Sequence, residues 1–159
     1  MKEINTLENY SGLITEISSL IEQGRKSAVS YVNTALVATY WLVGRRIVEY
    51  EQKGEERAKY GEELLLRLAK DLTHNFGKGW GEAHLRAIRQ FYIIYRDIEK
   101  RYTLCSESTS DETESMIPSM NSIKAFSKIF PLSWSHYRLL MRIDEPFKRE
   151  FYESECIKG

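Results

Sequence analysis

The sequence predicts an all-α protein: a multi-helix domain with a long N-terminal helical hairpin and a helix-turn-helix-like core. Three observations carry this. Apolar residues recur at three- and four-residue spacing along most of the chain, the mark of helices with one buried face. No segment alternates polar and apolar residues as a strand does, and no hairpin turn signal occurs. A glycine-rich connection, Asn75-Phe76-Gly77-Lys78-Gly79-Trp80-Gly81, separates two strongly periodic stretches.

In chain order, Leu7, Tyr10, Ile14, Ile17 and Ile21 place a first amphipathic helix over 7–23, with Asn5 or Thr6 as its N-cap. Gln23-Gly24 ends or bends it. A longer pattern from Lys26 to Gln52 carries Val29, Val32, Leu36, Tyr40, Val43, Ile47 and Tyr50 on one side. The first helix is expected to fold back along the N-terminal half of the second. The stripe Leu36, Tyr40, Val43 and Ile47 is long enough to predict an oligomer through this helix or the first one. Gly54 closes the long helix, with Lys53 near its C-terminal end, where a cation is favoured. Leu65, Leu68, Leu72 and Phe76 then mark one helix, and Leu85, Ile88, Tyr92, Tyr95 and Ile98 the next, expected to bury against each other. Residues 103–122 are rich in Ser, Thr, Glu and Asp and too poor in apolar residues to repay their ordering entropy, so a disordered acidic loop is predicted. Phe126–Phe130 stays open between a helical turn and a short strand pair. Ser133 caps a helix from Trp134 to Ile143, with Trp134 and Tyr137 inward and His136 and Arg138 outward, free for partner contacts. Asp144 caps a last helix holding Phe147, Phe151 and Tyr152.

The whole, residues 1–159, reads as one domain. Twenty-three Lys and Arg balance twenty-three Asp and Glu, so any nucleic-acid surface must come from local asymmetry. Such asymmetry exists. Between Gly77 and Arg96 stand four cations and one anion, whereas Cys105 to Ser122 holds four anions and no Lys or Arg. Cys105 and Cys156 lie far apart without CxxC spacing, which fits reduced thiols. No signal peptide is visible, and the most apolar run, Ala35 to Gly44, is about half a membrane span. A soluble cytoplasmic protein is expected.

The helix after the glycine turn is the candidate site. At about 100° per residue, Arg86, Arg89, Gln90, Arg96 and Lys100 share a sector opposite the apolar stripe, and Lys78 precedes them. Arginine bonds guanine bidentately, glutamine does so with adenine, and cations hold phosphates. An ordinary solvated helix face has the same pattern.

Catalytic chemistry finds no such pattern. His74, His84 and His136 lack metal-ligand spacing, and no nucleotide-binding glycine motif occurs. Glu55-Glu56 and Glu62-Glu63 are adjacent on helices and so point about 100° apart. No metal, no cofactor and no catalytic residue is expected.

Four stretches in order resemble the N-terminal domain of the YhcG-type family of bacterial proteins. They are Tyr40-Trp41-Leu42-Val43-Gly44-Arg45-Arg46-Ile47; Tyr60-Gly61 with Leu64, Leu68 and Leu72; Phe76-Gly77-Lys78-Gly79-Trp80 with Leu85, Arg89, Gln90, Phe91 and Tyr92; and Leu132-Ser133-Trp134-Ser135-His136-Tyr137 with Leu139, Leu140, Phe151 and Tyr152. The resemblance implies a helical domain that precedes a PD-(D/E)xK nuclease domain, and a role in restriction or defence against foreign DNA. None of that nuclease motif is present, so the piece reads as excised or truncated. The expected function is a non-catalytic DNA-binding targeting domain. The alternative is a helical dimerisation or docking module that positions a nuclease without touching DNA.

Overall fold

The computed structural model describes residues 2–53, 59–97 and 126–159, with side chains from Tyr10, Gly61 and Phe126 onward in the three segments. It is all-α. Helix α1 spans Lys2–Gln52, α2 Lys59–Phe76 and α3 Glu82–Tyr95; a helical turn at 126–129 leads to α4, Trp134–Leu140, and α5, Pro146–Lys158. No strand occurs among the described residues, which settles Phe126–Phe130 as a helical turn, with Phe130 N donating to Phe126 O at 2.7 Å. Gly54, Ile98, Lys100 and the acidic stretch 103–122 lie outside the described residues.

The predicted N-terminal hairpin is corrected. Residues 2–52 form one uninterrupted helix, about 75 Å long at 1.5 Å per residue. Gly24 sits within it. A glycine costs a helix about 1 kcal/mol relative to alanine but keeps its N–H, so it does not stop a helix that continues through Arg25, Lys26, Ser27 and Ala28. From Tyr10 to Val32 every residue of α1 is exposed. The side-chain hydrogen bonds there stay within the helix, as in Thr15 Oγ1 to Ser11 O and Gln23 Nε2 to Ser19 Oγ.

Burial begins at Thr34, and α3 takes α1 as its main partner, with a smaller contact to α2. Helices α2 and α3 do bury against each other as expected, through Leu65, Leu68 and Leu72 on one and Leu85 and Ile88 on the other, but α1 covers more of α3. Gly44 explains the choice. A Cβ there would lie 2.5 Å from Ile88 O and 2.9 Å from Tyr92 Cβ, so only glycine lets the two backbones cross this closely.

On one side of the crossing Val37, Ala38 and Trp41 meet Phe91, Tyr92 and Tyr95, together with Phe126, Phe130, Leu132, Tyr137 and Leu140. Phe91 is the centre, with the rings of Tyr95, Phe130, Trp134 and Tyr137 all within 5.1–5.4 Å of it. On the other side Ile47, Leu65, Leu85 and Ile88 form a smaller cluster that Leu68 and Leu72 extend. Trp41 Nε1 donates to Tyr95 O at 3.3 Å, satisfying a carbonyl at the end of α3. Tyr40, Val43 and Ile47 thus pack inside the chain, while Leu36 stays 40% exposed. The stripe expected to join a partner is mostly spent on this core.

Tyr137 is fully buried as expected, but Trp134 is half-buried at the seam of the two clusters. Helix α4 is shorter than predicted. It ends at Leu140, and Arg142 N and Ile143 N donate to Leu139 O and Leu140 O, the tighter i to i−3 pattern that often closes a helix. Helix α5 starts with Glu145, not Asp144, at the N-cap, and Pro146 takes the first helical turn, where its missing N–H costs nothing. It has no buried residue: Phe147, Phe151 and Tyr152 are 78%, 56% and 52% exposed. It is held by polar contacts, including Tyr95 Oη to Glu153 Oε2 at 3.3 Å.

Gly44→Ala should cost at least about 2 kcal/mol, because overpacking against backbone outweighs the roughly 1 kcal/mol gain in helix propensity. Gly12→Ala, where an added methyl meets nothing within 4 Å, should hold or raise helix content. Chemical denaturation of both variants, followed by far-UV circular dichroism, checks the contrast.

Candidate nucleic-acid interface

The turn 77–81 sets how α3 leaves α2. Gly77 N donates to Thr73 O at 3.0 Å, and Gly77 has φ +85°, so it ends α2 in the left-handed conformation that favours glycine. Gly79 follows at φ +126°. Lys78 is held exposed between them. Gly81 is the N-cap of α3, and its carbonyl accepts from Leu85 N at 3.1 Å. Phe76, expected on the buried stripe of α2, is instead 70% exposed and touches the Trp80 ring at 6.4 Å between centroids.

Leu85, Ile88, Phe91, Tyr92 and Tyr95 bury one side of α3. The opposite sector carries Arg86 and Gln90, both exposed, and exposed Arg96 just beyond the helix. Arg86 pairs with Glu82 one turn back, but its side chain is 60% exposed, and such surface pairs are worth at most about 1 kcal/mol. A ligand can displace Glu82. Glu82 also occupies the first turn of α3, where its carboxylate already meets the positive helix end.

Arg89 differs from the other four. Its Nε donates to both carboxylate oxygens of Glu51 on α1, at 2.7 and 3.0 Å, and Glu51 is only 10% exposed. The pair stitches α3 to α1 beside the groove lined by Val48, Gln52, Ile93 and Arg96. Helical spacing assigns Arg89 to the basic sector but cannot reveal a partner 38 residues away. The exposed set among the predicted residues is therefore Lys78, Arg86, Gln90 and Arg96.

A second arrangement was not legible in the spacing. Tyr40, Trp80, His84 and Trp134 form one group of ring contacts, with His84 4.9 Å from Tyr40 and 5.8 Å from Trp134. Burial, and then the charge of Arg138, hold the His84 pKa below its ordinary 6.5. The one available signal was that His84 lies a turn before Ile88, on the edge of the buried stripe. His136 and Arg138 are exposed, as predicted, and the Ser133 hydroxyl meets His136 Nδ1 at 2.7 Å.

Among the described residues no cluster of His, Cys, Asp and Glu could hold a metal ion, and no helix is long and apolar enough to cross a membrane. Fold and surface together define an all-α domain with one polar, mainly basic helix face. The chain belongs to the DUF1016 N-terminal domain family, whose model matches residues 16–159. It is similar to the Escherichia coli (strain K12) protein named "Putative nuclease YhcG", with 37% identity over 158 residues, 96% of this chain and 42% of that protein. The chain thus spans less than half of that relative's length. No solved structure matches.

Neutral His84 is the form the fold prefers. The unfolded chain takes up this proton near pH 6.5, so the unfolded state gains protons first as the pH falls. Stability from this site is intact above pH 6.5 and lost as the pH drops through 6.5 toward the lower folded value. Thermal melts at pH 7 and pH 5 should therefore diverge more in the parent than in His84→Phe, which keeps a ring against Tyr40 and Trp134.

Proposed function

We propose that residues 1–159 form a single nucleic-acid-binding domain that targets a bacterial nuclease to DNA and has no catalytic centre of its own. The observation that carries the proposal is the outer face of α3. Arg86, Gln90 and Arg96, with Lys78 on the turn before them, stand exposed on the side away from the core. Cations in such a row neutralise phosphates, and arginine and glutamine are the side chains that read guanine and adenine. Similarity to a protein named as a nuclease supplies the context, and on this reading the setting is the cytoplasm and the task restriction of or defence against foreign DNA. The turn 77–81 is longer than a standard helix-turn-helix turn, so α3 need not dock at the standard angle.

A second reading is a helical docking module, with His136 and Arg138 among its partner contacts. The bare N-terminal half of α1 favours it.

Titration on duplex DNA at two salt concentrations tests the first reading. Affinity should fall steeply with salt, each phosphate contact adding roughly 0.9 to the log–log slope. Lys78→Ala with Arg86→Ala should weaken binding and reduce that slope by about 2. Arg89→Ala should act on stability instead, at about 1–3 kcal/mol, because it strands the Glu51 carboxylate. A double variant that binds as the parent does refutes the proposal.

A further inference from the structure

The N-terminal half of α1 presents a large apolar face with no cover among the described residues. Tyr10, Leu13, Ile14, Ile17, Leu20 and Ile21 are 42–67% exposed. They expose on the order of 600 Å² per chain, about 1,200 Å² for a pair, the size at which specific interfaces begin. Tyr10, Ile14, Ile17, Ile21, Gly24 and Ala28 follow a three-four repeat, the seam of a two-helix coil.

Along that seam the residues are graded. The bulky ones come first and the small ones, Gly24 and Ala28, come last. A parallel pair would set Gly24 on Gly24 and Ala28 on Ala28, leaving voids, and would crowd Tyr10 on Tyr10. An antiparallel pair centred near Ser19 does the reverse. Ile17 meets Ile21 of the second copy, Ile14 meets its Gly24, and Tyr10 meets its Ala28. Every layer then combines a large side chain with a complementary one, as close packing requires. Leu20 flanks the centre on one side against its own symmetry mate, and Ser18 flanks it on the other. The seam is thus self-complementary in one orientation, which is what a two-fold interface demands.

We infer that two copies of this chain pair through residues 10–28 of α1 as an antiparallel coil, with Leu20 beside the two-fold axis. The inference rests on the docking reading of α1 and is independent of nucleic-acid binding.

Cysteine cross-linking on the 159-residue chain, in a background of Cys105→Ser and Cys156→Ser, tests it. With a short bis-maleimide linker, Leu20→Cys should link to itself. Tyr10→Cys mixed with Ala28→Cys should give linked pairs, and Tyr10→Cys alone should not. Light scattering at micromolar concentration should give twice the mass of one chain. Ile17→Glu should halve that mass and leave the melt of the 34–159 body unchanged, since Ile17 is exposed and belongs to neither core cluster of the described residues. Self-linking of Tyr10→Cys would mean a parallel pair, which discards this inference and keeps the docking reading. A parent monomer overturns the inference. An Ile17→Glu variant that stays dimeric places the interface elsewhere and also overturns the inference.

Discussion

Everything described after residue 34 depends on two backbones meeting at Gly44. Helix α3 lies so close over α1 that Ile88 O occupies the place of a side chain. That distance lets the aromatic rings of both helices mesh on one side of the crossing and the aliphatic residues of α2 close the other side. With the crossing fixed, the rotation of α3 about its own axis is fixed too. Its buried stripe faces α1, and Arg86 and Gln90 must face water. The Arg89–Glu51 pair holds the same rotation from the rim.

The two ends of α1 differ because only one has something to lie on. Thr34 to Ile47 is packed among aromatic and aliphatic side chains, whereas every residue of 10–32 is exposed. An isolated helix of that length is marginal in water, and tertiary cover normally supplies most of its stability. Continuity with a packed half removes the nucleation cost, so the arm starts from a preformed turn.

The helices were legible because their signal is local. Three- and four-residue spacing placed α2, α3 and the inward side of Tyr137, and the glycines of 77–81 placed the turn. The misreadings share a cause. Gly24 has the residue type of a break, but a break needs something for the chain to fold back upon. Phe76 has the spacing of a core position, but α2 ends there and leaves it 70% exposed. Arg89 has the angular position of a reader, but Glu51 arrives from another helix. Each depends on which surfaces meet across the fold, and periodicity carries no record of that. The resemblance of four short stretches located the family, which the match over residues 16–159 shows.

The tryptophans draw an optical boundary along the same line. The chain has three. Trp41 is sealed in the core, and Trp80 and Trp134 share the ring cluster of Tyr40 and His84. None lies between residues 10 and 33, where the aromatic residues are Tyr10 and Tyr31. Excitation at the red edge of the indole band therefore sees the body alone. A quencher or a temperature ramp read this way follows the α1–α3 joint, while the arm remains dark and is visible only to probes of backbone or mass.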